Sequence, residues 1–293
     1  MMIRKITVLV LVVSCFVGLL VIGGCTLSAN PSTTTYYYNP NWTPNGKILC
    51  TKNVQTVSGG SGGSGGTDIA AEYYLVLMND DGTGETNIKK IGAGGKVAAS
   101  PLGNYYAYTE GNYVKVVDTS GNDVSSINAG ATTDSLDWGP DESKLAYGIK
   151  TSATSEIYTV NRDGSGLTFL AVGENVAWKY GTKIIFEYLL GIYTSTATIN
   201  QDGTNKENIE REDRVISPQI LSSNTNEAYG TQGTEYGYID ISLNPKVFNK
   251  LFDNFNGYLP KLSKNGDKVV YTDYSLAGIY LINITGTGEI KIK

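Results

Sequence analysis

The sequence predicts an all-β chain, a six-bladed β-propeller of four-stranded antiparallel blades, preceded by an N-terminal secretory signal. Three observations carry that expectation. An anchor motif recurs six times at roughly forty-residue spacing, beginning at Trp42, Ala99, Trp138, Trp178, Ile220 and Leu262. A second motif, an aliphatic residue followed by Asn or Asp, recurs in phase with it. Between them the apolar residues alternate as strands do, and no long segment of 3.6-residue period interrupts them. A forty-residue repeat carrying four short strands is the signature of a propeller blade. The composition agrees: the 293 residues include 35 Gly and only 8 Pro, as many tight turns between short strands require.

The N-terminus reads as an address. Arg4 and Lys5 form a positive start, and Ile6 to Ile22 is almost wholly apolar. The run ends in Ile22-Gly23-Gly24-Cys25, which resembles the bacterial lipobox: an aliphatic residue, two small residues, then Cys. That resemblance implies cleavage of residues 1–24 and lipidation of the Cys25 thiol, so the partner there is the membrane. An uncleaved transmembrane anchor is the alternative, since seventeen apolar residues reach the short end of a span. Either reading places the remainder outside the cytoplasm. Residues 25–35 are small and polar and are expected to form a flexible tether. Without Cys15 and with Cys25 lipidated, only Cys50 remains, so no intramolecular disulfide can form; Cys50 sits in a strand-like run and is expected to be buried.

The repeats occupy residues 36–293. The turn after each anchor is clearest at Trp42-Thr43-Pro44-Asn45-Gly46, Ala99-Ser100-Pro101-Leu102-Gly103 and Trp138-Gly139-Pro140-Asp141. Nine residues after the anchor an aromatic recurs at Tyr108, Tyr147, Tyr229 and Tyr271, with Phe186 one residue early and Thr51 departing. The second motif, as in Met78-Asn79, Val117-Asp118 and Val160-Asn161, is followed three residues on by Gly82, Gly121 and Gly164, as a hairpin turn requires. In the fifth unit Leu243-Asn244-Pro245 replaces it. The last unit is expected to place strands at Tyr258–Leu262, Asp267–Thr272, Ile279–Ile284 and Glu289–Lys293. Ring closure is expected from the first blade packing on the last, without exchange of strands. The insert Ser58–Gly66, whether an engineered linker or a natural low-complexity loop, is expected to be a mobile connection between the second and third strands.

With Trp138-Gly139-Pro140-Asp141 and Asn161-Arg162-Asp163-Gly164 in view, the chain resembles the TolB-like (WD-like) propeller repeat family over Tyr36 to Lys293. The likeness implies the propeller fold. It does not extend to TolB proper, because no α/β domain precedes the repeats.

Function is narrowed mainly by exclusion. The chain has no His, which removes Ser-His-Asp and Cys-His nucleophile pairs and imidazole metal sites. Turns such as Asn79-Asp80-Asp81-Gly82 lack the alternating carboxylates and later bidentate Glu of a calcium loop, so turn chemistry explains them. No cofactor, catalytic residue or metal ligand is expected, although Asp137 and Glu174 are the nearest inner-strand acids. Without residues 1–24 the chain carries 21 basic against 28 acidic residues, which disfavours nucleic acid as a partner. The loops between second and third strands and between blades share one face and hold an excess of acids, among them the run Glu210 to Arg214. That face is expected to be electronegative and to receive a partner with a basic surface through Glu187, Tyr188, Glu235, Asp253, Phe255, Asp273 and Tyr274. The expected role is therefore a lipid-anchored, non-catalytic protein-interaction module of the bacterial envelope. A carbohydrate or small ligand in the central funnel is the alternative, and a metal-dependent propeller enzyme a more distant one.

Overall fold

The structure, a computed structural model, describes residues 31–59, 67–178, 181–190, 193–209, 216–220, 227–232, 234–240, 248–273 and 278–293. Among them the strands form six four-stranded antiparallel sheets, each built from consecutive strands. The first holds β1 (Ser32–Trp42), β2 (Ile48–Gly59), β3 (Thr67–Met78) and β4 (Thr86–Ile91). The second holds β5 (Gly94–Ala99), β6 (Tyr105–Glu110), β7 (Tyr113–Asp118) and β8 (Asp123–Asn128). The third holds β9 (Thr132–Trp138), β10 (Lys144–Lys150), β11 (Ser155–Asn161) and β12 (Thr168–Val172). The fourth holds β13 (Glu174–Trp178), β14 (Lys183–Leu190), β15 (Tyr193–Asn200) and β16 (Glu207–Ile209). The fifth holds β17 (Ile216–Ile220), β18 (Glu227–Gln232), β19 (Glu235–Asp240) and β20 (Phe248–Phe252). The sixth holds β21 (Gly257–Leu262), β22 (Lys268–Asp273), β23 (Ile279–Asn283) and β24 (Ile290–Lys291). The arrangement is a propeller of four-stranded antiparallel blades.

Burial explains the sequence of each strand. Second strands such as Tyr105–Glu110 and Lys144–Lys150 are buried on both faces, because a neighbouring blade covers each side. They therefore read as continuous apolar runs. Outer strands such as Asp123–Asn128 are mostly exposed and polar. The residues nine after each anchor are core: Tyr108, Tyr147, Phe186, Tyr229 and Tyr271 are all buried, as is Thr51 in the first sheet. Cys50 is fully buried, and burial pushes its thiol pKa up.

Apolar clusters fill the seams between neighbouring sheets. One of them joins the first sheet to the sixth, through Ile48, Cys50, Val76 and Met78 against Val270, Ile279 and Leu281. Burying each fully enclosed Ile or Leu stabilises by roughly 1.5–3 kcal/mol. Polar contacts lie over the same seam: the Lys268 ammonium meets Asp80 at 2.7 Å, and that of Lys293 meets Glu85 at 3.0 Å. No strand of either sheet is shared with the other.

The second motif also works between sheets. In the β3–β4 turn Asn79 O accepts from Gly82 N, and Gly82 adopts φ +79°. A Cβ there would collide with the carbonyl of Ile292 in the sixth sheet, and one on Gly121 with that of Ile88 in the first. Each of these turns packs its Gly onto the outer strand of the preceding sheet, so only Gly fits.

One boundary differs from expectation. The tether ends earlier, because Ser32 to Thr35 pair with Val57 to Val54. The β-branched Thr run suits a strand, and β2 and β3 extend to meet it, making a three-stranded arm on the loop side of the first sheet. Ser58 and Gly59 complete β2; residues 60–66 and the N-terminal segment with Cys25 lie outside the described residues. Among the described residues no helix is long and apolar enough to cross a membrane.

Candidate functional site

Every inner strand carries a register shift against its neighbour, between Tyr38 and Asn41, Gly94 and Val97, Glu174 and Ala177, and Tyr258 and Lys261, for example. Such a bulge re-aims the residues after it. Beyond it Asn41, Asp137, Ala177 and Lys261 come to line one cavity. The result is a cavity of about 280 Å³ at the turn end of the ring. Asn41, Asp137, Ala177 and Lys261, each one residue before an anchor, line it together with Trp42, Trp138 and Trp178. These are all three Trp of the chain. Pro44, Pro101, Pro140 and the exposed Leu102 form its rim.

Hydrogen bonds from these residues tie one inner strand to the next. Trp42 Nε1 donates to Lys261 O at 2.9 Å, and Trp138 Nε1 to Ala98 O at 3.1 Å. Asn41 Oδ1 accepts from Ala99 N at 3.5 Å. Asp137 Oδ1 accepts from Trp138 N at 2.9 Å, while its Oδ2 accepts from Trp178 N at 2.7 Å. The Asp137 carboxylate therefore holds two backbones in place. Burial raises its pKa, against the lowering pull of Lys261 and the two amides. Burial lowers the pKa of Lys261 in turn, against the pull of Asp137. Lys96 in β5 is pushed down to about 8 by burial and by the charge of Lys261.

A strained residue fixes the rim. Glu142 has φ +60° in the turn slot that Gly46, Gly103 and Gly266 fill elsewhere. Its Oε1 accepts from Leu102 N at 2.8 Å and its Oε2 from Asn104 Nδ2 at 2.9 Å. Burial alone would raise its pKa, but donors from Ser100, Asn104 and Leu102 hold the carboxyl below its usual range. The third sheet thereby clamps the turn of the second, and with it Leu102.

The residues expected to form a binding face do not come together as expected. Glu187 is only 2% exposed and accepts from Asn175 Nδ2 at 2.9 Å. Phe255 is 5% exposed and packs on Tyr271 and Tyr236. Neither side chain is available for contact: Glu187 lies within β14 and is bonded to Asn175, and Phe255 packs in the seam between the fifth and sixth sheets. Tyr188 is half-buried against Phe186, with the Lys206 ammonium 4.3 Å from its ring centroid. Glu235 and Asp253 share Lys250, at 3.2 and 3.0 Å. Asp273 ends β22, half-buried, and Tyr274 and the Glu210–Arg214 run lie outside the described residues. Glu174 pairs in register with Glu187, away from Asp137. The turn acids Asp81, Asp163 and Asp202 each accept from the hydroxyl and amide two residues on, which holds their carboxyls below the usual range.

The site that the sequence analysis missed had a signal: the position before each anchor, read down the repeats, is Asn41, Ala98, Asp137, Ala177, Gln219 and Lys261. Two opposite charges in a column of otherwise neutral residues mark where the repeat was adapted.

No protein-family model matches the chain, and no curated protein matches it. Solved structures do. TolB from Acinetobacter baumannii aligns with a TM-score of 0.59 at 15% identity, over 75% of this chain and 59% of that one. A protein assigned as TolB from Agrobacterium tumefaciens gives 0.58 at 13%, over 71% and 84%. An oligogalacturonate lyase in complex with manganese gives 0.56 at 12%, over 88% and 78%. At these identities the likeness concerns the fold, and the fold of this chain is that of the TolB-like β-propellers.

Proposed function

We propose that the chain is a lipid-anchored extracytoplasmic six-bladed propeller that acts as a non-catalytic protein-interaction module of the bacterial envelope. The six sheets close as one ring, with Cys25 as the lipidation site. The observation that carries the binding reading is the cavity at the turn end, whose buried carboxylate spends both oxygens on backbone amides. Asp137 is thereby a structural acid, and the surrounding Trp, Pro and Leu102 offer a rigid apolar rim. The resemblance to TolB-like propellers supports a partner that is a protein. The carbohydrate alternative is disfavoured by burial: Trp138 and Trp178 are 3% and 6% exposed, so their faces are not free to stack on a sugar.

The arm supports a definite orientation. β1 begins on the loop side of the ring and runs towards the turn side, so an anchor at Cys25 attaches below the loop face and the cavity opens away from the membrane. The partner thus meets the turn face, in place of the acidic loop face.

Photo-crosslinking in the native envelope tests this reading. A crosslinker at Leu102, on the rim, is expected to capture a defined protein, whereas one at Asp253, on the loop face, captures none. Capture from Asp253 alone would return the partner to the loop face. Mass analysis of the mature N-terminus tests lipidation, and an unmodified or uncleaved Cys25 defeats it. Metal analysis of the purified protein tests the enzyme alternative, and a stoichiometric metal favours it.

A further inference from the structure

The cavity is lined by donors that lack acceptors. Lys261, half-buried on its wall, has no hydrogen-bond acceptor for its ammonium among the described residues; its charge faces only those of Asp137 and Lys96. Asn41 uses Oδ1 on Ala99 N and, among the described residues, its Nδ2 has no acceptor. Lys264 adds a second ammonium at the exposed rim. The acceptors that line the cavity are already engaged. Asp137 is bound by two amides, Ser263 Oγ accepts from Asp267 N and Lys268 N, and Ser100 Oγ accepts from Tyr105 N. The lining carries Lys261 and Lys264 against Asp137, a small positive excess inside a chain of net charge −5.

We propose that this cavity is a carboxylate-binding site: Lys261, with Asn41 Nδ2 beside it, receives an anionic side chain or chain end of the partner, while Trp42, Leu102 and Leu262 cover the apolar residue next to it. The inference rests on the interaction-module reading and adds the chemistry of the partner, an acidic segment carrying an apolar neighbour. A half-buried ammonium without a hydrogen-bonding acceptor gains most from an anion, so the site is selective for charge and poor for a neutral isostere. Entry of a carboxylate supplies the ammonium with an acceptor and needs no rearrangement of Asp137.

The chain carries its own reporter, since its three Trp all line the cavity. The purified full-length protein in detergent is titrated with N-acetyl-leucyl-aspartate amide while Trp fluorescence is followed. N-acetyl-leucyl-asparagine amide is the neutral control, and succinate the free carboxylate control. The expected result is saturable binding of the acidic dipeptide, at least tenfold weaker binding of the asparagine form, and weakening with added salt. Lys261→Met is expected to weaken the acidic probe at least tenfold with an unchanged melting temperature, and Lys261→Arg to retain it. Equal titration by the aspartate and asparagine probes overturns the proposal, as does unchanged acidic binding in Lys261→Met or no saturable binding at millimolar probe. If Lys261→Met does not fold, the contrast of the two probes on the unaltered protein decides by itself. Succinate binding as tightly as the dipeptide would replace a protein partner by a small dicarboxylate. Selective titration without capture from Leu102 in the envelope would sink the interaction-module reading and leave the carboxylate site standing.

Discussion

The two ends of the ring use their residues in opposite ways. At the turn end, side chains reach sideways: Trp42, Trp138 and Asp137 bond to the inner strand of the next sheet, and Glu142 clamps a neighbouring turn. At the loop end, charges are answered locally: Lys250 serves Glu235 and Asp253, Lys90 serves Glu72 and Lys115 serves Glu110. The first end is bound into the fold, and the second carries its own solvated pairs. An excess of acids counted along the loops therefore overstates the field at that end, because partners and burial remove part of it.

Five substitutions test that contrast. Trp138→Ala should cost the most, roughly 3–5 kcal/mol in denaturant unfolding, since it empties a buried site and removes the bond to Ala98. A loss under about 1 kcal/mol would show that the turn end is not structurally coupled. Gly82→Ala should cost about 3 kcal/mol, because strain at positive φ adds to a collision with the Ile292 carbonyl. Gly46→Ala, at φ +77° with nothing within 4 Å, supplies the reference at about 1 kcal/mol. Equal losses would mean that the Gly contact does not hold the first and last sheets together.

Glu85 gives a pH test of the same seam. Burial alone would raise its pKa, but hydrogen bonds from Lys52, Tyr37 and Lys293 carry it from 4.5 down to about 2. A carboxyl held lower in the folded state stabilises above its unfolded value, and that contribution is lost as pH falls from about 4.5 towards 2. Glu85→Gln should lower stability by ~2 kcal/mol at neutral pH and flatten the loss between pH 5 and 2. An unchanged acid profile would place the latch elsewhere. Smallest of all, Asp253→Asn should change stability by no more than about 0.5 kcal/mol, since its partner Lys250 retains Glu235 and the site is exposed. A larger loss would show that the loop end is bound into the fold after all.

Much of the architecture was legible beforehand because it repeats. Strands expected at Asp267–Thr272 and Ile279–Ile284 are found at Lys268–Asp273 and Ile279–Asn283, since turn chemistry and alternation are local properties. The pairing of Ser32–Thr35 was not legible, because a polar Thr run suits a tether as well as a strand until a partner strand is present. Glu187 and Phe255 show the same limit. Both were expected on loops, but Glu187 falls within β14 and Phe255 in the seam of the fifth and sixth sheets, and burial at either position is set by packing partners outside the local pattern.

By itself the sequence determined the repeat, its four strands, the core aromatics after the anchors and the glycine turns. Each of these depends on residues a few positions apart. The tertiary structure alone decided that the first and last sheets meet, and that Asn41, Asp137, Ala177 and Lys261 converge on one cavity. It also decided that Lys261 lines that cavity, with no acceptor for its ammonium among the described residues. Those outcomes require closing the ring, which places Trp42 against Lys261 across more than two hundred residues of chain.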